Sequence, residues 1–412
     1  MTQESTVFMN SEAPDFHPDA LPAGCGIVYF GNDWFAENRT SSHHIARLLG
    51  QRFPLLYIET PGMRAPAASG RDFKKIWRKL RRAAAPPQMV RDHLWVMTMP
   101  QIPFRRLPLV RRLNRMYGQF AVKRAIRRLG FRRPVLWFVV PHPGELAGHL
   151  GESFVVYYCI DDYSGLPDVD QEEIARLDDG LTRAADQVFV ASTTLLERKR
   201  QISPTTAHSP HGVDFDHFQR ASDPGQPVAE GARDLRHPVI GYFGSIGGWT
   251  DIDLLVHLAR TRPEWTLLLI GLPSVDVREL RKCTNVVFAG VQPYEKLPEW
   301  ARAFDVAILP YRLNQGSVNA NPLKLREYLA TGKPVVAVST PEVERFSHCV
   351  RIARSREEFL EKIDEALTRD TAAEKQARTR EVMGSTWEAR AETAWKTVAA
   401  AMAKKNGMQK LR

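Results

Sequence analysis

The chain has 412 residues, 43% hydrophobic and 25% charged, with a formal net charge of +10. That length is too great for one ordinary core, so two domains are expected, and the composition is that of a soluble globular protein. Four scattered cysteines (Cys25, Cys159, Cys283, Cys349) show no CxxC or metal-ligand spacing, which excludes a disulfide framework or zinc site and reads as reduced thiols.

Residues 1–20 begin with the polar, acidic stretch MTQESTVFMNSEAPDF, which reads as a disordered N-terminus and not as a signal peptide. No apolar run approaches the ~18–20 residues that a membrane span needs, so a cytoplasmic location is expected. GIVYFGNDW (26–34) gives a strand and a polar loop, SSHHIARLLG (41–50) a helix, and FPLLYIE (53–59) the next strand. The charge is concentrated just after this point. Between residues 64 and 133 there are 20 Lys and Arg against Asp72 and Asp92, leaving 37 basic and 45 acidic residues elsewhere.

Within this basic segment, RDFKKIWRKLRR puts Phe73, Ile76, Trp77 and Leu80 on one helix face, ringed by cations, and LVRRLNRMYGQF repeats the pattern with Leu109, Leu113, Met116 and Phe120. Basic amphipathic helices of this kind lie in anionic membrane interfaces. Packing on the first domain with a solvated basic face is a second reading. Nucleic-acid binding is a third and the least favoured, because no helix-turn-helix, RRM or zinc pattern accompanies the charge.

Strands follow at RPVLWFVVP (133–141), SFVVYYCID (153–161) and DQVFVAS (186–192), with helical patterns between them. Nearly continuous apolar strands alternating with helices predict a parallel sheet covered on both faces. Residues 21–217 therefore read as one domain. The Pro- and Gly-rich stretch 218–238 reads as a linker. The rhythm restarts with strands at 238–245, 265–271, 285–290, 305–310, 333–339 and 349–353, and helices fill the gaps at 252–260, 275–282, 294–303, 322–331 and 356–367. Residues 239–385 thus form a second doubly wound α/β domain, and 386–412 a last helix. Two such domains leave a cleft at the carboxyl ends of their strands.

GYFGSIGGW (241–249) is a glycine-rich turn after the first strand of the second domain. It lacks the GxGxxG spacing of a dinucleotide site, so a ligand loop and a plain tight turn are both open. NANPLKLREYLATGKPVVAV (319–338) is more informative. Asn321 suits an N-cap, Pro322 the first helical position and Gly332 the helix stop, which places the cation Lys324 in a first turn that is already positive. A bound diphosphate would reverse that disadvantage. Glu327 falls on the same helix face as Lys324, as an acceptor for the vicinal hydroxyls of a ribose. In YYCIDDYSG (157–165), Asp161 and Asp162 stand at a strand's carboxyl end, where a carboxylate is either a general base or a cap. His142, at another strand end, has the same two readings. His43 and His44 border the cleft, and HSPHGVDFDHF (208–218) has the turn chemistry of a crossing between domains.

GYFGSIGGWTDIDLL, HGVD, NPLKLREYLATGKPVV and the closing STWEARAETAW resemble bacterial GT-B-fold glycosyltransferases of the family 4 type, which build exopolysaccharide or teichuronic acid. The resemblance covers most of residues 24–400. It implies two Rossmann-like domains, the first binding a lipid-linked or polysaccharide acceptor and the second a nucleotide-sugar, with no metal and no cofactor. It assigns the donor nucleotide and phosphates to Gly244, Ser245, Ile246, Gly247, Asn321, Leu323, Lys324 and Glu327. It also sends the last helix back to the first domain. Where the family has Glu-x7-Glu, this chain has Asn319 eight residues before Glu327, at the donor-sugar position. YYCIDDY resembles the strand end carrying the catalytic Asp of the inverting glucuronosyltransferase of xanthan assembly, and the match falls on Asp161.

The expectation is therefore a transfer from a UDP-linked sugar to a lipid-linked saccharide on the inner face of the cell membrane, inverting, with Asp161 as base and His142 nearby. The basic segment supplies contact with an anionic membrane surface, and nucleic acid is not a partner. The alternatives are a sugar-nucleotide 2-epimerase and a non-catalytic membrane-bound scaffold.

Overall fold

A computed structural model describes residues 21–36, 40–60, 85–99, 101, 108–166 and 169–410. The expectations for residues 1–20 and for Phe73, Ile76, Trp77 and Leu80 lie outside the described residues.

The first domain is built on eight strands: β1 (Ile27–Gly31), β2 (Leu55–Glu59), β3 (Gln88–Arg91), β4 (Leu94–Thr98), β5 (Val135–Phe138), β6 (Phe154–Cys159), β7 (Gln187–Val190) and β8 (Thr206–His208). They lie in the order β3-β4-β2-β1-β5-β6-β7-β8, parallel except for the β3–β4 pair. Every residue of β1, β2, β5, β6 and β7 is buried, the signature of strands covered on both faces. The covering helices include α1 (Ser41–Gly50), α2 (Pro108–Arg128), α3 (Gln171–Ala184) and α4 (Thr193–Arg200). The β3–β4 hairpin falls inside the basic amphipathic segment, for which the sequence reading predicts helices and no strand. Its strands are short, and the turn at Asp92-His93 carries no Gly or Pro to mark it, His93 itself adopting a φ of 61°.

The second sheet contains β9 (Val239–Phe243), β10 (Thr266–Ile270), β11 (Val286–Gly290), β12 (Val306–Leu309), β13 (Val335–Val338) and β14 (Arg351–Ala353). All its pairings are parallel, in the order β11-β10-β9-β12-β13-β14. Strand order reverses between β9 and β12, the point at which open sheets of this type hold ligands. Helices α5 (Ile252–Thr261), α6 (Leu323–Thr331) and α7 (Arg356–Arg369) pack around it. The Asp251 and Ser355 side chains cap α5 and α7 by accepting from Leu254 and Glu358 backbone N–H groups. The stretch 218–238 is no free linker. Phe218, Ala221, Ala229 and Ala232 are buried in the core of the second sheet.

The last helix, α8 (Trp387–Lys410), lies on the first domain. Trp387, Ala391, Trp395, Val398 and Met402 join the same cluster as Ile27, Phe53 and Trp137, and Arg52 forms an ion pair with Glu392. The carboxyl ends of the two sheets meet through specific contacts. Asn319 Nδ2 donates to Asp162 Oδ2 at 2.7 Å, and Asn321 Nδ2 donates to the Ala191 carbonyl at 2.7 Å. Thr193 donates through both its backbone N–H (2.6 Å) and its hydroxyl (2.7 Å) to Glu342.

Candidate active site

Helix α6 carries the donor-side candidates. Leu325, Tyr328 and Leu329 are fully buried, so the opposite positions Lys324 and Glu327 are turned toward the cleft. The Tyr328 hydroxyl accepts from the Phe243 N–H at 2.9 Å, which fastens α6 to the end of β9 and sets its N-terminus beside the glycine turn. Gly332 ends the helix in the left-handed conformation (φ 72°).

Gly244 has a φ of 129°, and a Cβ added there would come within 1.8 Å of Lys324 Cε. The positive φ favours glycine, and a side chain there would also displace the end of Lys324 from the turn. The Lys324 ammonium ends 5.9 Å from the centre of the Tyr242 ring, and Lys324 has no ion pair among the described residues. The amides of Leu323 and Lys324, at the first two helical positions, have no acceptor within the helix. Glu327 likewise has no hydrogen bond or ion pair among the described residues. Burial pushes its carboxyl up to about 7, with Lys324 opposing and Asp214 reinforcing the shift.

Across the cleft, the two adjacent aspartates after β6 differ. Asp162 accepts from Arg198 Nη2 (3.1 Å) and Nη1 (3.3 Å), from Ser164 (2.8 Å) and from Asn319. Burial raises its pKa, but Arg198, Ser164 and Asn319 outweigh that effect and hold it below the usual range. Among the described residues the Asp161 carboxylate accepts only the Asp162 backbone N–H, at 2.9 Å, and burial lifts it to about 6. The half-buried Tyr311, after β12, feels both Glu327 and Asp161. The anion-and-hydroxyl side of the cleft and the carboxylate side thus both lie within electrostatic reach of Tyr311. Such a site can hold a diphosphate against Lys324 and the α6 N-terminus, a diol against Glu327, and a hydroxyl proton at Asp161.

Residues 237–369 match the family described as Glycosyl transferases group 1. TuaH of Bacillus subtilis, named as a teichuronic acid biosynthesis glycosyltransferase, is 25% identical over 230 residues, which are 52% of this chain. The chain spans 57% of that relative's length. Among solved structures, sucrose-phosphate synthase from Thermosynechococcus elongatus superposes with a TM-score of 0.68 at 15% identity, covering 92% of this chain and 100% of the other. Anabaena HepE in complex with UDP superposes with a TM-score of 0.57 at 15% identity, over 94% of this chain and 100% of that one. The chain has the GT-B fold, and its second domain matches the group 1 glycosyltransferases.

Several of the candidates read from the sequence need correction in this GT-B protein. Pro322, not Asn321, is the N-cap of α6, and no side chain caps that end. The Asn321 amide is committed behind the helix, donating to Ala191 and Glu342 and accepting from Arg326, so it does not face a phosphate. The glycine turn offers fewer backbone donors than expected. The Gly244 N–H already bonds Ile270, the Ile246 N–H bonds Leu272, and the Gly247 N–H reaches the Thr250 hydroxyl at 3.3 Å. Gly244 and Ser245 are half-exposed, and the Ser245 carbonyl accepts from the Tyr242 hydroxyl. Leu323 packs partly against the core cluster that holds Trp387, which leaves its backbone as its possible ligand contact.

His142 is buried at the end of β5 and opens into a small cavity with Met99, Arg111, Asn114 and Glu145; no second-domain residue lines it. The structure thus does not bring His142 to the cleft residues of the second domain. His43 and His44 have structural contacts: His43 bonds Thr40 and the Asp33 carbonyl, and His44 stacks on Trp387 at 4.6 Å. Sequence reading missed Arg198 and Glu342. Both lie in ordinary amphipathic contexts, and only contacts about 150 residues away in the chain for Glu342 and 36 for Arg198 give them a role.

Proposed function

We propose that the protein transfers a sugar from a UDP-linked donor to a membrane-associated, lipid-linked saccharide, with inversion at the anomeric carbon. The observation that carries this reading is the unpaired pair Lys324 and Glu327 at one helix end, facing a carboxylate across the cleft. Lys324 and the α6 N-terminus bind the diphosphate, and Glu327 binds the ribose hydroxyls. Asp161 accepts the proton of the acceptor hydroxyl as its oxygen bonds to the anomeric carbon. The bond from that carbon to the diphosphate breaks, and the developing charge on the leaving UDP is stabilised by Lys324 and the helix end. Asn319 reaches both Asp162 and, at its family position, the donor sugar. UDP as donor is supported by the solved HepE complex with UDP.

Membrane association is supported by α2. Its Leu109 (68% exposed), Leu113, Met116, Tyr117 and Phe120 (65% exposed) form an apolar stripe among arginines, while Val122, Ala125 and Ile126 anchor the opposite face. No helix of the described residues is long and apolar enough to cross a membrane.

The test is a thermal-shift titration with UDP, GDP and ADP on wild type and Glu327→Ala. UDP at ~100 times its dissociation constant is expected to stabilise wild type by ~2.7 kcal/mol and the variant by much less. No response to any diphosphate in wild type would remove the donor site. Anomeric analysis of the product tests inversion, because retention would exclude Asp161 as the direct base. Sedimentation with anionic vesicles, weakened by Phe120→Asp, tests the membrane face.

A further inference from the structure

Where the chain crosses between domains, behind the cleft, lies an open-mouthed cavity of about 370 Å³. The crossing itself is fixed by the Val213 N–H donating to the Ser385 carbonyl at 2.9 Å. Three guanidinium groups line the cavity: Arg326 from α6, Arg345 just past the turn Pro341–Glu344, and Arg390 from α8. None of the three has an ion pair among the described residues. Arg326 is only 5% exposed; it donates to the neutral Asn321 amide and lies over the Phe346 ring at 5.3 Å. Arg390 donates to the Ser385 hydroxyl at 2.9 Å and keeps its Nε buried without a partner.

The acids nearby, Glu342 and Glu381, offset only part of the charge on Arg326 and pair with none of the three guanidinium groups. Glu381, the carboxylate on the cavity wall, is bonded to His348, and Glu342 is occupied by Thr193 and Asn321. Burial and the neighbouring Arg390 lower Arg326 to about 10, and Arg326 and Arg390 reinforce the burial that lowers His211. A buried cation without a counter-charge costs several kcal/mol. If Arg326 served only to stack on Phe346 and hold Asn321, nothing would require Arg345 and Arg390 to converge on it.

We infer that this cavity between the domains is a second anion site, which takes a phosphate dianion between Arg326, Arg345 and Arg390. Guanidinium forks match phosphate oxygens in pairs, and three cations against one engaged carboxylate suit a dianion better than a monoanion. The ligand would join α6 to α8, and so the donor-binding helix to the helix that crosses back. Because Arg326 immediately precedes Glu327, occupancy would stiffen the helix that holds the donor.

The inference does not depend on the transferase reading, and inorganic phosphate serves as the probe. Melting temperature is measured with sodium phosphate against sodium chloride at matched ionic strength, in wild type, Lys324→Met and Arg345→Gln/Arg390→Gln. Phosphate is expected to raise it by roughly 2–4 °C in wild type and Lys324→Met, and not in the arginine variant. A rise no larger than that with chloride overturns the site, as does a rise kept in the arginine variant. A rise lost in Lys324→Met places phosphate at the donor site alone and also overturns it. Should the double variant lose its cooperative melt, Arg345→Gln on its exposed side chain is read by calorimetric titration. Affinity weakened by at least about threefold is expected there, and unchanged affinity overturns the proposal.

Discussion

The two walls of the cleft solve the problem of holding charge in opposite ways. On the first-domain wall, Asp162 is saturated by Arg198, Ser164 and Asn319. Its neighbour Asp161 is left with one backbone donor and a pKa of about 6. One carboxylate spends its acceptors on architecture, and the adjacent one stays available for a proton. On the second-domain wall the charged pair has no hydrogen bond or ion pair among the described residues. Lys324 and Glu327 lie one helical turn apart, and the stability of the empty protein is reduced by both: a cation beside free N–H groups and a carboxyl pushed up to about 7. The first wall is satisfied from within the fold, whereas the charged pair on the second is not.

The largest expected effect tests the first wall. Asp161→Asn should lower kcat by about 10²–10⁴-fold while leaving the UDP-induced thermal shift intact. Equal losses in both measurements would mean that Asp161 supports the fold and is not the base. Next, Lys324→Met and Glu327→Ala should each raise the donor KM by about tenfold or more, with smaller changes in the acceptor KM, as measured by steady-state kinetics.

The pH dependence separates the walls. At saturating donor, kcat/KM for the acceptor should fall as pH drops through about 6, because Asp161 must be ionised to take the proton. UDP affinity should instead weaken below about 7, because protonated Glu327 loses acceptor capacity.

A smaller effect concerns stability. The folded-state pKa of Glu327 lies above its ordinary value of 4.5, so its contribution to stability is lost as pH rises through about 7. Glu327→Gln should therefore stabilise the unliganded protein at pH 8 by ~1–3 kcal/mol, after allowing for screening in the open cleft, and the gain should vanish at pH 4. Denaturant melts at the two pH values would check this. The smallest effect is expected for Asn319→Ala, which removes one contact across the cleft to Asp162; a thermal melt should show a loss of ~0.5–1.5 kcal/mol.

The sequence alone was enough for the fold class and for the placement of Lys324 and Glu327 on one helix face. Both depend on local rules: apolar runs buried on two faces, a Gly stop at 332, and a helical period that turns Leu325, Tyr328 and Leu329 inward and the charged pair outward. Tertiary structure alone decided which of two adjacent aspartates is free, because the answer lies with Arg198 and Asn319, which are distant in the chain. It also withdrew Asn321 from the cap and Ile246 from the phosphate by giving their polar groups partners in other strands and helices. Finally, it brought Arg326, Arg345 and Arg390 to one cavity. Periodicity fixes which way a side chain points, but what it meets there depends on contacts that only the folded chain makes.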